Sequence, residues 1–328
     1  MSDPAPPQKG KLGGLLIQGF FEGITRAAKL HPRANPARHG VEVISNVAYS
    51  NSGQRDHLLD IYRPKRIPAE GLPIVFYLHG GGFRILSKDT HWVMGLAFAR
   101  RGYCVFNINY RLAPTHPFPA AVIDACNALG WVANHAQRFR GDLSRLILAG
   151  ESAGANLASA LAVATSYRRS EPWAQQLFDT AVTPRAVIAN CGVLQVSDIG
   201  RHARRRQLPE WLNTRLQYIA NSYLSEAQQS GDPTSYELAD PLRFLELAQQ
   251  PDRPLPPFYA AVGTKDPLLD DTRRLAAALD KLAVPCEARF FPGEVHAFMA
   301  FVWRKQAKTC WRQTFDFLDR HITRARAH

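Results

Sequence analysis

The stretch Gly150-Glu151-Ser152-Ala153-Gly154 constrains this chain more than any other. It follows the apolar run Leu146-Ile147-Leu148-Ala149 and leads into Asn156-Leu157-Ala158-Ser159-Ala160-Leu161-Ala162, a pattern that reads as strand, sharp turn and helix. A serine presented on such a turn is what a nucleophile elbow requires. Glycines at both ends let the backbone turn tightly and let a helix pack close behind the serine. The Ser152 hydroxyl then faces a helix N-terminus, where developing negative charge is favoured. The same five residues also suit a turn that merely joins a strand to a helix, so the remainder of the chain has to decide.

Taken in order, residues 1–10 are proline-rich and expected to be disordered. Leu12, Leu16, Phe20, Ile24 and Ala28 then recur every four residues, predicting an amphipathic helix weakened by Gly13, Gly14, Gly19 and Gly23. Val41 to Ala48 and Leu58 to Tyr62 alternate in polarity and predict an antiparallel pair. Predominantly apolar runs at Pro73–His79, Tyr103–Asn109, Arg145–Ala149, Ala186–Asn190 and Phe258–Gly263 predict buried, mostly parallel strands, and Cys286–Phe291 reads as the last strand. Helical patterns over 90–101, 119–138, 153–166, 270–283 and 303–324 alternate with them. That order predicts an α/β fold with right-handed crossovers and helices on both sheet faces. Between Gly192 and Pro254 the strand rhythm lapses, and a helical period over 209–224 reads as an inserted lid rather than a second domain.

At 328 residues, with 46% hydrophobic and 21% charged side chains, the chain has ordinary globular composition. Its net charge of +12 invites a nucleic-acid or membrane reading. The basic residues are spread along the chain, however, and no nucleic-acid-binding motif accompanies them, so no nucleic-acid partner is expected. Cys104, Cys126, Cys191, Cys286 and Cys310 show neither metal-ligand spacing nor disulfide density and read as free thiols. No secretory signal pattern or spanning apolar run is present, so a soluble, cytoplasmic protein without membrane contact is the expectation.

A serine nucleophile needs a base, an orienting carboxylate and donors for an oxyanion. Asp266 follows the run ending at Gly263, and His296 follows the last strand, each on a loop past a strand's C-terminal end. Serine, acid and histidine thus occur in the order that suits this fold. Asp270 and Asp271 read instead as acids opening the next helix, and Glu294 as loop surface. His79-Gly80-Gly81-Gly82 after a strand presents successive backbone N–H groups without Cβ obstruction, as an oxyanion hole requires. No phosphate-loop lysine follows, which argues against a nucleotide cradle. His79 reads as a residue that shapes this loop, together with Gly80, rather than as the base.

The chain resembles the hormone-sensitive lipase family of α/β-hydrolase esterases. Leu59-Asp60-Ile61-Tyr62, His79-Gly80-Gly81-Gly82-Phe83, Tyr110-Arg111-Leu112-Ala113-Pro114, Phe118-Pro119-Ala120 with Asp124, the Ser152 turn, Asp240-Pro241-Leu242, Asp266-Pro267-Leu268 and His296-Ala297-Phe298 carry the likeness, in the family's order. The resemblance implies an α/β-hydrolase fold with a helical cap, a triad of Ser152, Asp266 and His296, and oxyanion donors at the N–H groups of Gly81, Gly82 and Ala153. It also implies a cap made of an N-terminal segment within residues 1–40 and an insertion at about 192–235 in a 41–328 hydrolase domain. The implied reaction is hydrolysis of short- to medium-chain acyl esters, with no metal and no organic cofactor, in a possible homodimer. Glu151, Ala155 and Ala297 depart from the family's usual residues, and the two alanines add methyls near the site. An arylformamidase or amidase on the same machinery, or a non-catalytic ligand-binding member, stays open.

Overall fold

The computed structural model describes Gly19, Gly23, residues 25–224 and residues 231–322. The N-terminal helix expected between Leu12 and Ala28 lies largely outside these residues. Gly19, Gly23 and residues 25–29 are helical.

From the third strand onward each strand is followed by one or more helices. The elements run β1 (Val41–Ala48), β2 (Leu58–Pro64), β3 (Leu72–Leu78), α1 (Trp92–Ala99), β4 (Cys104–Ile108), α2 (Ala120–His135), β5 (Gly141–Glu151), α3 (Ala153–Ser166), α4 (Pro172–Asp179) and β6 (Ala186–Asn190). Then follow α5 (Arg201–Arg205), α6 (Glu210–Tyr223), α7 (Pro241–Leu247), β7 (Phe258–Gly263), α8 (Leu269–Lys281), β8 (Cys286–Phe291) and α9 (Lys305–Ile322). The eight strands form one sheet in the order β1-β2-β4-β3-β5-β6-β7-β8. β1 pairs with β2 and β2 with β4 antiparallel, and every later pairing is parallel.

Alternation along the strands decides which helices cover which face. Ile74, Phe76 and Leu78 of β3 join Leu148 and Val187 in a core closed by α2, α3 and α8. Val75 and Tyr77 point the other way, joining Ile147, Ile188 and side chains of α1 and α9, such as Phe98 and Phe317. With both faces covered, the inner strands β3, β4, β6 and β7 and the second half of β5 are almost wholly buried, which is why they are readable as apolar runs, whereas the edge strand β8 is partly exposed.

The close approach of α3 to the sheet depends on Gly154. A Cβ at that position would lie 2.0 Å from the Leu78 carbonyl oxygen and 2.8 Å from that of His79. Both obstacles are backbone, so the helix itself would have to move. Gly154→Ala is therefore expected to cost about 3 kcal/mol in urea unfolding, the upper end of overpacking penalties. A change within about 0.5 kcal/mol, the range of neutral surface substitutions, would contradict this packing.

Two differences from the sequence reading have visible reasons. β5 begins at Gly141, ahead of Arg145, because Gly141 and Asp142 pair with Leu72 and Pro73 before a register shift. α4 was not anticipated. Its Ala174, Leu177 and Phe178 are the buried residues, a stripe of one turn that is too short to stand out from its surroundings.

Candidate active site

The serine turn is built as β5, one residue, α3. Ser152 is that residue, at φ 56 and ψ −119, backbone geometry that a non-glycine residue adopts only under constraint. The constraint is hydrogen bonding on both sides. The Ser152 N–H donates to the Asn190 carbonyl at 3.0 Å, and the Ser152 carbonyl accepts from Asn156 and Val193 N–H groups at 3.3 Å. The side chain stands at the N-terminus of α3 and lines a cavity of about 1540 Å³. That cavity is also lined by Gly80, Gly81, Gly82 and His296.

Asp266 and His296 arrive on the loops after β7 and β8. Asp266 is fully buried, and His296 is about one-third exposed at the cavity wall. His296 Nδ1 lies 2.9 Å from Asp266 Oδ2, while Asp266 Oδ1 accepts the Leu268 N–H at 2.8 Å. The loops lie close because Gly263 permits it, for a Cβ there would meet the Glu294 carbonyl oxygen at 2.1 Å. Burial works against a charged His296 ring, but the Asp266 carboxylate, with a contribution from Cys191, outweighs it and holds the imidazole pKa well above its ordinary value. Cys191, Asp266 and His296 bring donor atoms within 4.8 Å of one another. Two of those donors already bond each other, so this group is not arranged as a metal cradle.

The glycine loop after β3 turns on positive φ angles at Gly81 (119°), Gly82 (60°) and Phe83 (60°). Gly81 and Gly82 N–H groups, with that of Ala153 at the start of α3, donate to no acceptor among the described residues. Gly80 differs, since its N–H is taken by Glu151 Oε1 at 2.6 Å. His79 is buried, its Nδ1–H directed at the Gly80 carbonyl at 2.7 Å and its ring stacked on Tyr110 at 4.2 Å. The Tyr110 hydroxyl donates to the His79 carbonyl at 2.6 Å. Burial, aided by neighbouring His91, pushes the His79 pKa down to about 3, so the ring stays neutral.

Glu151 does more than the sequence indicated. Its carboxylate receives His91 Nε2 at 2.7 Å, the Gly80 N–H and the Tyr77 hydroxyl. Burial disfavours both charges, yet mutual attraction dominates, raising the His91 pKa and lowering that of Glu151. One buried ion pair thus ties the glycine loop to the serine turn. Of the two added methyls, Ala297 lines the cavity, whereas Ala155 is buried outside its lining. Asp271, read from sequence as a helix-opening acid, is also fully buried. It pairs with Arg201 of α5 at 2.5 Å and accepts the Leu194 N–H at 2.8 Å. Its signal was absent because its partner lies 70 positions away.

Residues 192–254 carry α5, α6 and α7, and Trp211, Leu212, Leu216 and Ile219 of α6 line the cavity beside the serine. Among the described residues no helix is long and apolar enough to cross a membrane.

Comparison with known proteins agrees with this architecture. Residues 75–300 match the model of a family with the alpha/beta hydrolase fold. The chain is 31% identical over 259 residues to the esterase LipI of Mycobacterium tuberculosis, covering 74% of this chain and 70% of that one. It is 40% identical over 111 residues to the carboxylesterase NlhH of the same species, about a third (34%) of each chain. The crystal structure of esterase LipW from Mycobacterium marinum superposes with a TM-score of 0.74 at 28% identity, covering 93% of this chain and 89% of that one. Fold, motif order and relatives converge: this chain belongs to the hormone-sensitive-lipase family of α/β-hydrolase-fold esterases.

Proposed function

We propose that this chain is a carboxylesterase that hydrolyses short- to medium-chain acyl esters through Ser152, His296 and Asp266. One observation carries the reading: a strained serine at a helix N-terminus shares a cavity with a carboxylate-bound histidine and a loop of free N–H groups. Ser152 Oγ attacks the acyl carbon and passes its proton to His296 Nε2. Asp266 holds the ring in the tautomer with Nδ1 protonated and stabilises the imidazolium. The oxyanion lies against the N–H groups of Gly81, Gly82 and Ala153, where donors cost no reorganisation. Collapse expels the alcohol, which takes the Nε2 proton. Water, deprotonated by the same nitrogen, then attacks the acyl-enzyme and releases the acid. The α6 insertion is the cap that closes the cavity over the ester.

The pH dependence follows from His296. The base has to be neutral to accept the serine proton, and Asp266 raises its pKa. We expect kcat/KM to rise with pH through a midpoint above the ordinary imidazole value of about 6.5. A profile already at its plateau below that value would contradict the pairing. The acyl range is tested by initial rates on p-nitrophenyl esters from acetate to palmitate. Turnover concentrated on the shorter chains supports the reading, and a maximum at palmitate overturns the chain length assigned.

A further inference from the structure

We propose that the ester this cavity takes carries an anionic group remote from the scissile bond, a carboxylate or phosphate received by the arginines and lysines around the cavity. The inference rests on the esterase reading and specifies its substrate class.

The charge around the cavity is lopsided. Among its described lining residues, seven are lysine or arginine and one, Glu151, is a carboxylate. The whole chain, by contrast, has 40 basic and 28 acidic side chains, so general basicity does not account for the ratio. Glu151 is already held by His91 and the Gly80 N–H and has no charge to offer a rim cation. Arg33, Arg100, Arg215, Lys265, Lys308 and Arg312 line the cavity with no carboxylate partner among the described residues. Some arginines elsewhere in the molecule are paired, as Arg63 is with Glu42, Arg145 with Asp142, Arg169 with Glu171 and Arg274 with Glu246.

A further cation, Arg84, is held against α6 outside the residues that line the cavity. Arg84, two residues after Gly82, lies with its guanidinium 3.9 Å over the Tyr218 ring and donates to the Tyr218 hydroxyl at 2.8 Å. Its Nε and Nη1 are buried without any partner. Burial and the charge of Arg215, one turn earlier on α6, both act to lower its pKa. Between the cations the walls are apolar, with Trp211, Leu216 and Ile219 on one side and Trp311 and Phe315 on another. An apolar body with a charged end fits that lining, whereas a fully neutral ester leaves the cations unmatched.

The test compares p-nitrophenyl monoesters of glutaric acid, which carry a free carboxylate, with p-nitrophenyl pentanoate of the same chain length. At low ionic strength we expect kcat/KM to favour the anionic ester by about tenfold or more, the worth of one charge-assisted hydrogen bond. Raising the salt from about 0.01 to about 1 M shortens the screening length from about 30 to about 3 Å and should erase most of the preference. The Arg215→Gln variant and the Lys308→Gln/Arg312→Gln double variant identify the end that binds: at least one should cut the anionic-to-neutral ratio several-fold, chiefly through KM, with Arg215→Lys retaining it. Calorimetric binding of both esters to Ser152→Ala reads the preference independently of turnover, so a failed esterase reading does not silence the test. Equal binding and equal, salt-insensitive rates for the two esters would overturn the proposal. So would a rate enhancement seen only on phosphatidylglycerol vesicles, which would assign the cations to a bilayer surface instead.

Discussion

Ser152→Ala is expected to lower ester turnover by three or more powers of ten while leaving the fold in place. The magnitude follows from the role: without Oγ no acyl-enzyme forms, and triad removals in serine hydrolases leave only the catalysis due to binding and the oxyanion donors. Alanine adds no atom to the turn, and Ser152 makes no side-chain bond that caps α3. The measurement is kcat/KM on p-nitrophenyl butyrate beside thermal unfolding. Near-normal turnover in a folded variant would remove Ser152 from the chemistry.

The second large effect belongs to Gly81. A Cβ there would lie 2.0 Å from the Ile85 carbonyl oxygen, and the residue's φ of 119° is one that side chains rarely adopt. Gly81→Ala therefore displaces the loop that carries two of the three assigned oxyanion donors. Loss of one such donor typically costs about 10²–10³ in kcat. The loss should fall on kcat more than on KM, since the donors meet the oxyanion and not the ground-state ester. The neighbouring Gly80 N–H is already committed to Glu151, so it cannot substitute. A variant that binds and turns over substrate normally would show that this loop does not hold the oxyanion.

How much of this was legible in the sequence depends on distance along the chain. β1, β6, β7 and β8 match their expected bounds because each is a self-contained pattern of apolar runs or alternation. The candidate site was readable for a related reason. Ser152, Asp266 and His296 each sit at the end of such a run, and their order suits one fold. What stayed hidden were the long-range partnerships outside that motif order. Glu151 looked like a variant at one position, yet it bonds groups 71 and 74 positions away. Asp271 looked like a helix-opening acid, yet it forms a buried pair with Arg201 that joins α5 to the core. Arg204, also on α5, is paired with Asp198. Local periodicity carries no trace of such contacts, because only the folded topology brings the partners together. The cationic lining of the cavity was hidden in the same way, since its residues come from the segment before β1, the turn after α1, α6, α9 and the loop after β7.

The central claim is that Ser152 forms a covalent acyl-enzyme. It is tested most directly by treating the protein with a p-nitrophenyl phosphonate ester and mapping the adduct by mass spectrometry. The account predicts one equivalent of p-nitrophenol released per chain, the phosphonyl group on the peptide containing Ser152, and no labelling of Ser152→Ala. An adduct on another residue, or full labelling of the variant, would contradict it.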